Sequence, residues 1–338
     1  MQWWRVCAAV LLVAVAGPVA LGQWVWTPET GRFVNMKRLP KETPELQIEY
    51  ARSLMLEGRY SEAMRETDKF IDFYGDTPLA DENQFLRGEI ELADTEYMDA
   101  AREFQLVVDS YPGSAFFDRV IERQYAIGDA LFERGKANIE GKADKPWYTF
   151  AWRPWAKRPF KRAIEVYSMV IDNQPFTDSA AEAQYKIGLC HFTREEYIEA
   201  AFEYRRVLED YANSPVVPEA AYGLVQTYRA SAKGPDYDQS PGQLTVAAID
   251  EFRTRYPDDA RSGELAGVRG EMRETIAEHR LRVGQFYERR QQFESARICY
   301  EVVVEQFAET GAASKAKEWL DANPSRRSAA AAFIGPAT

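Results

Sequence analysis

The run Gly188-Leu-Cys-His-Phe-Thr-Arg-Glu-Glu-Tyr197-Ile-Glu-Ala200-Ala-Phe-Glu-Tyr204-Arg-Arg-Val207 has a skeleton that returns along the chain. Its glycine, turn aromatic, alanine, second aromatic and valine reappear at identical spacing as Gly88, Tyr97, Ala100, Phe104 and Val107, and again as Gly284, Phe293, Ala296, Tyr300 and Val303. An earlier copy has Ala51, Tyr60, Ala63 and Phe70, with Thr67 in the aromatic position. Another is split: Gly128 opens it, and Phe160, Ala163, Tyr167 and Val170 complete it after an insertion. A degenerate copy keeps Gly223 and, later, Phe252 with Tyr256. Small residues on one segment and alanine just past the turn let two antiparallel helices approach closely, and the aromatic and aliphatic residues fill the space between units. Apolar faces of period 3.6 joined by a turn such as Arg194-Glu195-Glu196 predict helical hairpins. One hairpin cannot bury its own apolar face, so neighbours must stack. The chain is predicted to be all-α, an α-solenoid of about six hairpins.

The unit ends repeat as well. Val107-Val-Asp-Ser-Tyr-Pro112, Leu208-Glu-Asp-Tyr-Ala212 and Phe252-Arg-Thr-Arg-Tyr-Pro257 each finish a second helix. Thr43-Pro44, Thr77-Pro78 and Ser214-Pro215 read as a cap and proline opening the next one. Tyr74 to Tyr111 and Gln174 to Tyr211 are both 37 residues.

Composition narrows the function classes. The 338 residues are 46% hydrophobic and 28% charged, which excludes wholesale disorder, collagen and a polytopic membrane protein. Lys plus Arg total 42 against 53 Asp plus Glu, a net charge of −11, so nucleic acid, which demands a cationic footprint, is not the expected partner. His191 and His279 are the only histidines and have no partner at ligand or triad spacing. No phosphate-cradling glycine loop appears, so neither enzyme activity nor a cofactor nor a metal is expected.

Arg5, the apolar run from Val6 to Ala16, Gly17-Pro18 and then Ala20-Leu21-Gly22 read as a secretory signal peptide over 1–22, cleaved before Gln23. The apolar stretch, broken by Pro18, falls short of the roughly 20 residues that span a bilayer. A periplasmic location is expected. Cys7 would leave with the signal, and Cys190 and Cys299, each inside an apolar helical pattern, read as two buried thiols rather than a disulfide.

The glycine, alanine, aromatic and proline positions resemble the tetratricopeptide repeat, whose basic period is about 34 residues, and that resemblance implies a right-handed solenoid. The secretory start, the unit length, the Asp-x-Tyr-Pro-like ends and a long insertion in the third unit together resemble the BamD family, also called YfiO, over about Pro44 to Asp259 and more loosely to Asn323. That family is the tetratricopeptide subunit of the machine that inserts β-barrel proteins into bacterial outer membranes. The resemblance implies a non-catalytic protein–protein interaction scaffold with envelope proteins as partners. BamD-like proteins resemble lipoproteins with a cysteine directly after the cleavage point; Gln23 stands there in this chain, so membrane contact is expected to be peripheral or through a partner. The alternative is a YbgF/CpoB-like periplasmic adaptor of Tol-Pal or cell-wall machinery. That family looks like a coiled coil followed by repeats, and residues 23–43 are too short and proline-broken for a coiled coil.

Several segments carry binding expectations. An aromatic arm, 23–43, sets Trp24 and Trp26 beside a Pro28-Glu-Thr-Gly31 turn and reads as a short hairpin or an extended arm, capping the first repeat or docking on a partner. The insertion, 142–160, places Trp147, Trp152 and Trp155 among Lys145, Arg153, Lys157 and Arg158, which suits packing on the solenoid, a partner protein or a membrane surface. In tetratricopeptide arrays the first helix of each unit lines a concave groove. Here that implies Ile48, Phe85, Tyr125 and Tyr185 with Arg52, Glu89 and Asp129 beside them, and Phe132 and Phe192 one turn on, suited to an extended peptide. Glu45, Glu82, Glu122, Glu182 and Glu278 recur six residues before the small position, as an acidic ladder or as each helix complementing its own dipole. The solenoid is expected over 44–322, its end capped by a helix from Ala312 to Ala322, with a disordered tail over 323–338.

Overall fold

A computed structural model describes residues 24–27, 32–35, 39–140 and 157–324. The arm is a hairpin: β1 (Trp24–Thr27) pairs antiparallel with β2 (Arg32–Asn35), setting Trp24 opposite Asn35 and Trp26 opposite Phe33. All other regular structure among the described residues is helical.

The chain forms two compact units, Met1–Arg123 and Gln124–Thr338. In the first, α1 (Pro44–Leu56) and α2 (Tyr60–Tyr74) form one hairpin, and α3 (Ala80–Ala93) and α4 (Tyr97–Ser110) the next. The division falls inside α5 (Phe117–Glu140). The second unit continues with α6 (Arg158–Asn173), the hairpin α7 (Asp178–Thr193) and α8 (Tyr197–Asp210), then α9 (Val217–Ser231) and α10 (Ser240–Arg255). It ends with α11 (Arg261–Arg289), α12 (Phe293–Gln306) and α13 (Gly311–Ala322). The fold class is therefore an α-solenoid of tetratricopeptide-type hairpins, with six hairpins followed by a single helix among the described residues.

The repeated positions pack as the spacing demands. A Cβ built on Gly88 would stand 2.5 Å from the Phe104 ring, and one on Gly188 2.8 Å from the Tyr204 ring. Gly128 against Tyr167 and Gly284 against Tyr300 repeat that approach. The degenerate unit differs for a physical reason: its Gly223 lies against Tyr204 of the preceding hairpin rather than its own Phe252. Tyr204, 1% exposed, thereby fills the space between two successive first helices.

Among the described residues, four hairpin turns are one device. After α3, Thr95 N–H donates to Leu92 O and Glu96 N–H to Glu91 O; after α7, Glu195 N–H donates to Phe192 O and Glu196 N–H to His191 O. The same pair of bonds follows α1 and α11. This reversal requires a left-handed residue, and the chain supplies Gly58 (φ 75°) once but Thr95 (φ 64°), Glu195 (φ 66°) and Gln291 (φ 60°) elsewhere. A β-branched residue suffers most in that region. Thr95→Gly is expected to stabilise the first unit by about 0.5–1 kcal/mol, the strain relieved being partly offset by glycine's greater unfolded-state freedom. Urea unfolding measures it; a loss of stability contradicts the strain argument.

Some sequence expectations are corrected by the helix boundaries. Thr43 caps α1 by accepting Leu46 N–H, but Thr77-Pro78 and Ser214-Pro215 form turns just ahead of α3 and α9 and do not cap them. Thr177 and Thr310, not singled out by the sequence reading, cap α7 and α13. Of the repeated glutamates, Glu45 and Glu82 lie in first turns, whereas Glu122 and Glu182 start beyond them and Glu278 sits deep inside α11. Dipole complementation therefore explains only two of the five. The helix α13 packs on the last hairpin through Trp319, whose ring meets Tyr300 at 4.7 Å and whose Nε1–H donates to Glu288.

The entry to α11 carries an acid-sensitive pair. Asp259 accepts from the Arg261 backbone N–H and from its guanidinium, and these bonds hold its carboxyl at about 2, below the ordinary 3.8. A depressed folded-state value means that the contribution is complete above the unfolded value and is lost as pH falls through the folded one. The melting temperature of the wild type minus that of Asp259→Asn is expected to be positive and constant above pH 5 and to shrink steadily as pH falls from there through about 2. A difference as large at pH 2 as at pH 6 contradicts the assignment.

Candidate partner-binding grooves

In the first unit, α1, α3 and the start of α5 enclose a groove of about 350 Å³. Its floor is Met55, Phe85, Leu86 and Phe116, and its rim Arg52, Glu82, Glu89 and Arg119. The floor exists because the repeat puts an apolar residue three before each small position on the first helix. Phe85 is 3% exposed, stacked on Phe116 with centroids 4.9 Å apart and tilted against Phe104 at 5.2 Å. Arg119 lies over its ring at 4.4 Å, so a cation caps the aromatic floor. The rim is organised by ion pairs between successive first helices: Arg52 with Glu82 at 2.7 Å and Arg123 with Glu89 at 2.5 Å. A ladder carboxylate is thus partly neutralised, and the groove presents alternating charges over an apolar floor rather than an acidic wall.

In the second unit the predicted residues come together around Asp129. It accepts the Tyr167 hydroxyl at 2.7 Å and pairs with Lys186 at 2.9 Å. Tyr125 meets the Tyr167 ring edge-on at 5.7 Å and bonds to Glu182. Burial, with the Asp129 charge and Glu182, raises the Tyr125 phenol, and burial with the bond to Asp129 and its charge raises that of Tyr167, so both remain neutral donors. Phe132 is buried against Phe160, with Lys136 and Lys186 each within 6 Å of its ring. Tyr185 packs on Tyr204, and Phe192 on Tyr197. Each predicted groove aromatic therefore also holds its own hairpin together, and the faces left to a ligand are those of the half-buried Tyr125, Tyr185 and Phe192 with Asp129 and Lys186. Trp147, Trp152 and Trp155 lie outside the described residues.

The sequence reading missed a recurring clamp. Four residues before the small position stands a buried glutamine: Gln47, Gln84, Gln124 and Gln184. Gln47 Nε2 donates to Glu66 O and Oε2 at 2.8 and 2.9 Å, and Gln84 Nε2 to Glu103 O and Oε2 at 2.9 and 2.6 Å. Gln184 reaches Glu203 in the same way. The signal was present in the units of Gln47, Gln84 and Gln184 as a glutamate three residues after the repeat alanine; the Gln124 unit has Val166 there. Arg87 joins Glu103 to Asp68 of the preceding hairpin, at 2.9 and 2.6 Å, extending the clamp between units.

Among the described residues, Cys190 and Cys299 are free thiols. Burial raises the Cys190 thiol to about 12, while Cys299 is only half-buried, which corrects the expectation of two buried cysteines. His191 Nδ1 lies 2.8 Å from Glu196 and His279 Nδ1 2.6 Å from Pro235 O, so each imidazole has a structural partner. Among the described residues no three His, Cys, Asp or Glu groups converge as a metal site, and no helix is long and apolar enough to cross a membrane.

Stacked hairpins with a groove on their first helices define a protein-interaction scaffold. A model of the YfiO family, described as an outer membrane lipoprotein, matches residues 141–330, more than half of the chain. The chain belongs to this family. The resemblance was expected over Pro44 to Asp259 and more loosely to Asn323; the matched stretch begins later, at the insertion, and runs slightly past Asn323. No curated protein matches the chain. Solved structures resemble it loosely: a tetratricopeptide protein of Thermus thermophilus is 13% identical, covering 68% of this chain and 98% of its own, at a TM-score of 0.32. Another from Parabacteroides merdae is 13% identical, covering 82% and 97%, at 0.33.

Proposed function

We propose that the protein is a non-catalytic scaffold of the bacterial envelope, acting as a BamD-like subunit in the assembly of β-barrel outer-membrane proteins. The observation that carries this reading is the family match over 141–330. The charged, aromatic-floored groove of the first unit supports it, since alternating ion-pairing residues over Phe85 and Phe116 suit an extended peptide whose side chains enter the floor and whose polar groups meet the rim. Export by the N-terminal segment and attachment to the outer membrane through partners complete the proposal.

The test is crosslinking in cells followed by purification of a C-terminally tagged copy from the envelope and mass spectrometry of what accompanies it. Recovery of the barrel-insertion protein is the expected result. Recovery of Tol-Pal or peptidoglycan-synthesis proteins without it overturns the proposal in favour of the adaptor role.

A further inference from the structure

We propose that the cleft between α10, α11 and α12 is a binding site for a small apolar carboxylate. The argument begins with the clamp. In three other units a glutamine four residues before the small position holds a glutamate three residues after the repeat alanine: Gln47 with Glu66, Gln84 with Glu103, Gln184 with Glu203. Counted from Gly284 and Ala296, the same two places in the last unit hold Arg280 and Cys299. The amide has become a cation, and the carboxylate that would answer it is a thiol.

A cleft of about 420 Å³ opens at that point, lined by both residues. Its apolar walls are Ile276, Val283, Ile298 and Val302. Ile298 is 48% exposed, an unusual position for an isoleucine facing a lined cleft. Arg280 is half-buried, and no carboxylate reaches it among the described residues. Its neighbours on α11 are treated differently: Arg261, Arg269, Arg273 and Arg282 all end on Asp or Glu side chains. The acid on the rim, Asp238, is already engaged, accepting from Ser240 N–H at 3.0 Å and Oγ–H at 2.8 Å at the start of α10. The Gln239 amide is likewise committed to Gly234 O and Tyr237 O.

The cleft thus offers unused guanidinium donors above apolar walls. A carboxylate entering it takes the position that glutamate occupies in the other units, and forms the charge-assisted bonds Arg280 lacks. The walls require an apolar body on that carboxylate. The volume, near the lower end of the roughly 300–1,000 Å³ of small-molecule sites, sets it as small.

Octanoate, below its micelle concentration, is the probe, titrated into the purified full chain by calorimetry. Octanol and octylamine supply the same body without the negative charge, and acetate the charge without the body. Cys299 gives a second readout: bound octanoate should slow its alkylation, measured peptide by peptide, while the fully buried Cys190 serves as reference. Saturable binding of octanoate alone, with protection of Cys299, is the expected result. Arg280→Gln, which restores the repeat's own residue, should weaken binding by about tenfold or more. Cys299→Glu should supply the missing carboxylate internally and abolish binding while raising the melting temperature. Equal binding of octanol or octylamine, binding unchanged in Arg280→Gln, or no saturable binding to the folded wild type overturns the proposal. None of these outcomes bears on envelope partners, so the scaffold reading stands or falls separately.

Discussion

Tyr204→Ala is expected to cost about 3–5 kcal/mol. The ring is 1% exposed and fills the space between Gly188 of its own hairpin and Gly223 of the next. Removing it opens a cavity bounded by two helix backbones that carry no side chain with which to fill it. Loss therefore reaches two hairpins at once, and the unfolding transition should broaden as well as shift, because neighbour contacts are what make an array cooperative. Denaturant unfolding followed by circular dichroism measures both. A loss under about 1.5 kcal/mol, as for a tolerated core swap, would mean that the hairpins do not meet through this ring.

Gly128→Ala sets two effects against each other, and their magnitudes decide the sign. Helix propensity favours alanine by about 1 kcal/mol. The added Cβ, however, would lie 2.5 Å from Tyr167 Cε1 and 2.8 Å from Cδ1. That ring is fully buried, and its hydroxyl is tied to Asp129 at 2.7 Å, so it cannot swing aside. The two helices must part, and overpacking of this kind costs about 1–3 kcal/mol beyond the propensity gain. A net loss of about 2 kcal/mol is expected. Gly267→Ala in α11 is the control: nothing lies within 4 Å of its Cβ, so propensity alone acts and a gain of about 1 kcal/mol is expected. Equal shifts at the two positions contradict the close-approach account of the repeat.

Much of this architecture is readable in the sequence, because each feature of the repeat is local. The glycine and the ring that covers it are 16 residues apart in three units, Gly88 with Phe104, Gly188 with Tyr204 and Gly284 with Tyr300, so spacing alone pairs them. Gly128 and Tyr167 are separated by the insertion, and there the pairing follows from the second half of the motif, Phe160, Ala163, Tyr167 and Val170, which keeps its own spacing. What spacing could not show is which neighbour a side chain chooses. Gly223 uses the previous hairpin's tyrosine, and Arg87 reaches back to Asp68, because stacking brings together residues that no motif links. Cap positions were misassigned at Thr77 and Ser214 because a Thr-Pro or Ser-Pro pair also makes a turn, and one further residue, Leu79 or Val216, takes the cap position before each helix begins.

The candidate groove was half legible. Phe85, Glu89 and Arg52 were found from their distance to the small residue, and they do line one groove. Phe116 and Arg119 were not, since they enter from the turn and first helical residues of the next unit and belong to no repeat position. The carboxylate ladder also changed meaning at Glu82, which is bound to Arg52 of the preceding first helix, much as the groove residue Glu89 is bound to Arg123 of the following one, pairings that only the stacked structure brings together.

The most direct test of the central claim, that the first helices present the partner-binding face, is site-specific photo-crosslinking in the envelope of living cells. A photoreactive residue replaces Arg52 or Arg119 on the groove rim in two strains, and Leu106, 45% exposed on α4, in a third. The account predicts discrete adducts with an envelope protein from both rim positions and none from Leu106. Adducts from Leu106 alone, or the same adducts from all three, would contradict it.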